Sequence, residues 1–154
     1  MIPLRDRLLE IYDNLAAEID AAAPVCELSG RCCRFREYGH TLFISRTEAE
    51  LLLEPGLPEN AVVDDASCPY QINGLCTARE RRPLGCRVYF CDPNYAGQGE
   101  ALTERYLGQL KQLHAETGTP LEYRPLHHFL DEAVSPPCPE QGLQIPAFVD
   151  PALK

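Results

Sequence analysis

The residues of this chain most suited to chemistry are its cysteines, eight in 154 residues. Four of them fall in the 24-residue stretch from Cys68 to Cys91. This stretch is rich in Pro, Gly and Arg and has no regular apolar period, so hydrocarbon burial gives its backbone little support. Thiolates bound to a metal would hold it, because the free energy of metal binding then contributes to folding. The pattern predicts a thiolate metal centre, with disulfide pairing or separately buried thiols as the alternative.

Charge and hydropathy exclude several classes of partner. The net charge of −9 argues against unspecific binding to nucleic acid or an anionic membrane. No apolar run approaches the roughly 18 to 20 residues that cross a bilayer, and the first residues carry acids and lack the apolar core of a secretory signal. We therefore expect a cytoplasmic protein, in a reducing compartment that favours metal or redox roles for clustered cysteines. Its partner is predicted to be an unspecified protein or small molecule.

The spacing of the cysteines bears on the kind of metal. The first group is C-E-L-S-G-R-C-C, and its adjacent pair, Cys32 and Cys33, is awkward for a single ion because neighbouring side chains in an extended segment diverge. Either one of the pair binds while the other packs, or each serves a different centre. The paired C-x2-C knuckles of zinc modules are absent, whereas iron–sulfur clusters tolerate more varied spacing. The spacing thus favours an iron–sulfur cluster over Zn²⁺, and an irregular zinc site of four thiolates remains the alternative. The predicted ligands are Cys26, Cys32, Cys33, Cys68, Cys76, Cys86 and Cys91.

The first cysteine group, followed by R-P-L-G-C-R-V-Y at 82–89, resembles the YkgJ-type cysteine-cluster family. That family is described as zinc- or iron-chelating and includes the flagellin lysine N-methylases. Its first motif is C-x2-C-x2-C-C, and in this chain Ser29 stands where the second cysteine is expected. The later family positions match Cys68, Cys76 and Cys86, with Arg82, Pro83 and Arg87 around the last. The resemblance covers about residues 26–91 and implies a metal centre; methylase activity is not carried over, because no S-adenosylmethionine-binding motif is recognisable.

Ser29 raises the question of which group completes the ligand set. A serine hydroxyl is a poor ligand beside thiolates because it is harder and far less acidic. Three outcomes are open: Cys91 takes its place, the position is an open coordination site, or a second metal is lost. We favour replacement by Cys91. Cys138, in the proline-rich tail, is expected to lie outside the centre.

Several other polar residues have more than one interpretation. His40, beside Gly39, is a possible extra ligand, while His127 and His128 are either exposed polar residues or neutral ligands or proton relays near a helix N-terminus. Four arginines near the thiols either balance their negative charge or form ion pairs with Glu80, Asp92 and the acidic loop before Cys68, with substrate binding a third role. These arginines are Arg79, Arg81, Arg82 and Arg87.

The elements that must position these residues are mainly helical. An apolar stripe predicts a helix over 3–22 and a second over 99–117, closed by Gly118. Ser45 and Glu48 match a capping box that starts a helix running to about Glu54. Residues 34–44 are expected to be a strand or extended connector with Leu42, Phe43 and Ile44 buried; an extended piece at 121–123 precedes a short helix from Pro125.

The predicted fold is therefore a small, mainly α domain whose irregular cysteine-rich centre is stapled by a metal. One domain is expected over 1–154, comprising the helix at 3–22, the cysteine core at 26–91, a helical part at 99–134 and an extended tail at 135–154. The predicted function is redox or cluster-assisted chemistry, as in iron–sulfur oxidoreductases. The alternatives are a structural zinc-binding interaction module and a metal storage or delivery protein.

Overall fold

Helices dominate the computed structural model, which describes residues 2–26 and 29–135. The helices are α1 (Leu4–Ala22), α2 (Phe35–Tyr38), α3 (Arg46–Leu53), α4 (Leu84–Arg87), α5 (Ala96–Thr117) and α6 (Leu126–Val134). The strands are β1 (Phe43–Ser45), β2 (Gln71–Ile72), β3 (Leu75–Cys76) and β4 (Tyr123–Pro125), and 3₁₀ turns lie at Arg31–Cys33 and Arg79–Arg81. The prediction of a mainly α fold is confirmed. No helix in the described ranges has the length and hydropathy needed to cross a membrane.

The two long helices, α1 and α5, pack against each other and form one half of the core. Of the apolar stripe predicted on α1 (Leu4, Leu8, Ile11, Tyr12, Leu15 and Ile19), Leu8, Tyr12 and Leu15 are buried and the others are half-buried. The stripe predicted on α5 is buried throughout, at Leu102, Tyr106, Leu110 and Leu113. Helix α5 begins at Ala96, three residues before the predicted start, so Gly97, Gln98 and Gly99 lie in its first turn. Gly118 closes it in the left-handed conformation, with φ 65°.

The other half of the core lies around a short antiparallel ribbon of β1 and β4, with helices α3 and α6 following its strands. The capping box of Ser45 and Glu48 is present, and α3 ends at Leu53, one residue before the prediction. Helix α6 begins one residue after Pro125, which is the last residue of β4. The apolar side of α6 is buried through Leu126, Phe129 and Leu130.

The expectation of an extended segment with three buried residues over 34–44 is wrong in two respects. Residues 35–38 form helix α2, because Phe35 is buried and the Arg36 amide donates to the Ala66 carbonyl at 3.0 Å. Phe43 is 45% exposed, since alternate residues of a strand face opposite sides and Ile44 takes the buried side. The tail predicted over 135–154, including Cys138, lies outside the described residues from position 136 on.

Candidate metal centre

The described cysteines are all free thiols, and six of the seven line one cavity of about 110 Å³. The six are Cys26, Cys32, Cys33, Cys76, Cys86 and Cys91. The seventh, Cys68, lies against Cys33, whose carbonyl accepts a 2.8 Å hydrogen bond from the Cys68 amide. Segments that are far apart in sequence therefore bring all seven predicted ligands to one place.

Cys32 and Cys33 point toward each other rather than apart, which corrects the expectation from sequence. Their Sγ atoms lie 4.0 Å apart because residues 31–33 form a 3₁₀ turn and not an extended segment. Gly30 makes that turn possible by adopting the left-handed conformation, with φ 69°. Cys33 is buried, with 3% exposure, and its thiol also interacts with those of Cys68 and Cys76.

A β-hairpin places Cys76 beside this turn. Strands β2 and β3 pair antiparallel, with Gln71 opposite Cys76, and Asn73 and Gly74 make the turn with positive φ angles. The Gln71 side chain donates to the Gly30 carbonyl at 3.0 Å. A Cβ on Gly30 would come within 2.8 Å of the Gly74 carbonyl and would collide with the Gln71 side chain. Glycine at this position therefore permits the close approach of the two cysteine segments.

Helix α4 supplies Cys86, and a buried carboxylate fixes the start of that helix. Glu48, only 1% exposed, accepts hydrogen bonds from the Leu84 amide and the Tyr12 hydroxyl, each at 2.8 Å. At the other end of α4 the Arg87 guanidinium lies 4.0 Å from the centre of the Tyr12 ring. Helix α4 is thereby attached to both α1 and α3, and Cys86 is held at the cavity wall.

Ser29 and Cys91 lie next to each other at the cavity, with 3.5 Å between Oγ and Sγ. A hydrogen bond of 3.1 Å from the Val25 amide to Oδ2 of Asp92 joins the two segments that carry Cys26 and Cys91. Cys26 is exposed and Cys91 is half-buried, so both of these thiols are more accessible to solvent than the buried thiol of Cys33.

The thiols differ in acidity because they share Cys33 as a hydrogen-bonding partner. That hydrogen bond lowers the pKa of Cys76 to about 6 and the pKa of Cys32 to about 7, and it also lowers the pKa of Cys68. The same contacts raise the pKa of Cys33 far above its usual value. The surrounding protein raises the pKa of Cys86 by desolvation, although the residue keeps some exposure to the cavity. Cys76 and Cys32 are therefore the thiols that ionise most readily near neutral pH, beside a Cys33 thiol that holds its proton.

Two of the four arginines line the cavity, namely Arg79 and Arg82. Within residues 2–26 and 29–135, none of the four forms a side-chain ion pair, so ion pairing with Glu80 or Asp92 is not observed there. Instead Arg82 donates to the Arg79 carbonyl at 2.9 Å, and Arg87 donates to backbone carbonyls. The charge of Arg82 contributes to the lowered pKa values of Cys32 and Cys76.

The histidines do not line the cysteine cavity. His40 lies 3.4 Å from the Cys32 carbonyl through Nε2, and its ring lies between those of Phe35 and Tyr89. His127 and His128 contact each other, with ring centres 4.6 Å apart. His114 is buried and contacts the Thr119 carbonyl at 3.2 Å through Nδ1.

The thiol contacts run pairwise through Cys33 and do not converge on one point. In the described part of the chain, no three Cys, His, Asp or Glu side chains stand ready to hold a metal ion. The 4.0 Å between the sulfurs of Cys32 and Cys33 is nevertheless close to the separation of about 3.8 Å that follows from a tetrahedral site with Zn–S bonds of about 2.3 Å.

Comparison with known proteins gives no match: no family model, curated protein or solved structure matches the chain.

Proposed function

We propose that this protein binds a metal centre through its clustered cysteines, an iron–sulfur cluster in preference to zinc, and acts in redox or cluster-assisted chemistry. The observation that carries the proposal is the gathering of seven free thiols from segments spread over residues 26–91: six line one cavity, and the seventh, Cys68, lies against Cys33. Free thiols are also the state that a reducing, cytoplasmic compartment maintains. The cysteine pattern that resembles the YkgJ-type family supports the same proposal.

The donor set fits a soft metal. Cys32, Cys33, Cys68 and Cys76 offer four thiols that a bound metal would hold as thiolates, and Cys86 offers a fifth near them. Thiolates of this kind select zinc, Cu(I) or iron–sulfur clusters over hard cations. Arg79 and Arg82 place positive charge at the cavity, where it offsets the charge of several thiolates. An iron–sulfur cluster bound there would supply electron transfer.

A structural zinc site is the second candidate, and the contacts of Cys33 favour it specifically. Cys33 is the thiol through which the pKa values of Cys32, Cys68 and Cys76 are lowered, so these four residues are the candidates for the four ligands of one tetrahedral ion. To bind any metal, these side chains must turn so that all four sulfurs face one point. Zinc in this closed arrangement would hold the hairpin on the 3₁₀ turn and leave chemistry to a partner protein.

Metal analysis of anaerobically purified protein tests the proposal. We expect brown protein with iron and sulfide, whose visible absorption is bleached by dithionite. Colourless protein with tightly held zinc would support the structural site, and metal that exchanges with a chelator while the fold survives would indicate a carrier. Protein that binds none of these metals would refute the proposal.

Cysteine variants locate the centre within the chain. Cys33→Ser removes the thiol that interacts with Cys32, Cys68 and Cys76, and we expect severe loss of metal. Cys138→Ser is the matched control, since the same substitution lies outside the predicted ligand set, and its metal content should equal that of the wild type. Equal loss in both variants would show that the centre is not built on Cys33.

A pair of variants decides the role of Ser29. If Cys91 is a ligand, Cys91→Ser lowers the metal content or changes the spectrum, while Ser29→Cys has a smaller effect. If Cys91→Ser keeps the full centre, and an added small ligand such as cyanide shifts the wild-type spectrum but not that of Ser29→Cys, the position is open to exogenous ligands. That second result would overturn the replacement of Ser29 by Cys91.

A further inference from the structure

A second cavity, of about 300 Å³, reaches two of the candidate ligands. Cys32, Cys86 and Tyr89 line both this cavity and the cysteine cavity. We call the second one the aromatic cavity, because His40, Phe43, Tyr89 and Tyr123 line it. A small molecule there would lie directly beside the thiols without occupying the metal centre.

One stacked pair of rings belongs to His40 and Tyr89. Their centres lie 5.6 Å apart with 27° between the planes. His40 is held in place by the edge of Phe35, at 5.4 Å, and by the contact of Nε2 with the Cys32 carbonyl. Tyr89 is nevertheless 38% exposed, so part of its ring surface is available to another molecule.

The second stacked pair belongs to Phe43 and Tyr123, with centres 5.9 Å apart and the same 27° angle. Strands β1 and β4 fix it: Phe43 is opposite Pro125 and Tyr123 is opposite Ser45, so the two rings are diagonal neighbours on the ribbon. Phe43 is 45% exposed and Tyr123 42% exposed. Three partly exposed aromatic residues around one cavity are unusual for a surface with no partner, because apolar patches of this kind mark binding sites.

The composition of the aromatic cavity defines what it can take. None of the residues that the structure places in its wall is Asp, Glu, Lys or Arg. That disfavours phosphates, carboxylates and cations and favours a neutral ligand. The volume is at the lower end of the range for small-molecule pockets, roughly 300 to 1,000 Å³. Aromatic rings bind other planar rings by stacking or by edge contacts.

We propose that the aromatic cavity binds a neutral, planar, multi-ring aromatic molecule, stacked against Tyr89 and Tyr123 next to Cys32 and Cys86. The role of this molecule as a reaction partner of the metal centre rests on the proposed function. Binding itself needs only the rings, and it can be measured whether or not a metal is bound.

Lumiflavin, an uncharged three-ring compound, serves as the probe. Free probe is separated from the full-length protein by ultrafiltration and measured by fluorescence in the filtrate, so any colour of the protein does not interfere. We expect saturable binding that Tyr89→Leu and Tyr123→Leu each weaken by roughly 2- to 10-fold, the effect of losing one aromatic contact. Tyr123→Phe keeps the ring and should bind as the wild type does.

Tyr38→Leu is the matched control, because Tyr38 is exposed to a similar degree, 40%, but does not line the aromatic cavity. Its binding should be unchanged. Absence of saturable binding, equal weakening by Tyr38→Leu, or equally tight binding of the non-planar apolar compound 1-adamantanol would each overturn the inference. Metal analysis of the same samples separates the two proposals. Ring-dependent binding by protein that takes up none of the tested metals would uphold this site and refute the metal centre, while metal-loaded protein without lumiflavin binding would do the reverse.

Discussion

Replacing Glu48 with glutamine should destabilise the protein far more than the same substitution at an exposed position would. Both oxygens of the Glu48 side chain are acceptors of hydrogen bonds in the core. Oε1 accepts from the Tyr12 hydroxyl and the Leu84 amide, and Oε2 accepts from the Ser45 amide and hydroxyl. Glutamine offers one acceptor oxygen and one NH₂ group, so at least one backbone amide, that of Leu84 or that of Ser45, faces another donor.

The magnitude follows from those contacts. Leaving one buried donor without an acceptor costs about 1–3 kcal/mol, and the remaining bonds to a neutral amide are weaker than bonds to a carboxylate. We expect Glu48→Gln to lower the free energy of unfolding by about 2–4 kcal/mol, a large share of the roughly 5–15 kcal/mol of a typical domain. Tyr12→Phe removes one donor and leaves the ring under Arg87, so its cost should be about 1 kcal/mol.

Urea unfolding of metal-free protein measures these differences without a contribution from metal binding. Glu50→Gln is the control, because it makes the same chemical change at an exposed position of the same helix, α3, and should stay within about 0.5 kcal/mol of the wild type. Whether it is lost or only weakened, the changed Leu84 hydrogen bond should also loosen α4, so the Glu48→Gln variant should bind metal more weakly through Cys86. A loss of stability below about 1 kcal/mol, or equal effects of the two variants, would refute the reasoning.

Three further results are expected. Removal of the metal should lower hydrogen-exchange protection over residues 68–91 while α1 and α5 stay protected; equal protection with and without metal would show that the segment folds alone. In metal-free protein at about pH 7.5, iodoacetamide should modify Cys76 and Cys32 before Cys86, because their pKa values are lowered to about 6 and about 7 while that of Cys86 is raised, and mass spectrometry reveals the order. Gly30→Ala should destabilise the fold by about 1–3 kcal/mol in the same urea assay, since its φ is positive and its Cβ would meet the hairpin; a neutral effect would mean that the two cysteine segments do not need this close approach.

The elements predicted correctly are those with a signal inside their own sequence. The stripes of α1 and α5 repeat over several turns, and the capping box of Ser45 and Glu48 marks the start of α3. Such local patterns survive folding because burial of the same stripe stabilises the helix. Helix α2 has only four residues, too few for a period, and depends on Phe35 and on a hydrogen bond to Ala66. Helix α2 could therefore not be predicted from the sequence of residues 34–44 alone.

The hairpin that carries Cys76 could have been found from the sequence. Asn73-Gly74 is a strong signal for a two-residue turn, and the turn adopts positive φ at both residues, 51° and 77°. The convergence of Cys32 and Cys33 is different, because it depends on one backbone angle at Gly30. The long-range role of Glu48 is also hidden: the sequence shows its cap with Ser45 but not its bonds to Tyr12 and Leu84, 36 residues away on either side.

The contact between Ser29 and Cys91 changes how the serine is understood. From the cysteine motif alone, Ser29 is a missing ligand. In the structure its hydroxyl lies 3.5 Å from the Cys91 sulfur and 3.4 Å from the Arg31 amide, which can donate to it. If the amide donates to Oγ, the hydroxyl proton is left for the sulfur. A hydrogen bond of that kind orients a ligand and lowers the charge density on its sulfur, as groups around metal sites commonly do. If Cys91 is a metal ligand, as proposed, Ser29 can support it through this hydrogen bond, whereas a cysteine at position 29 would compete with it for the metal.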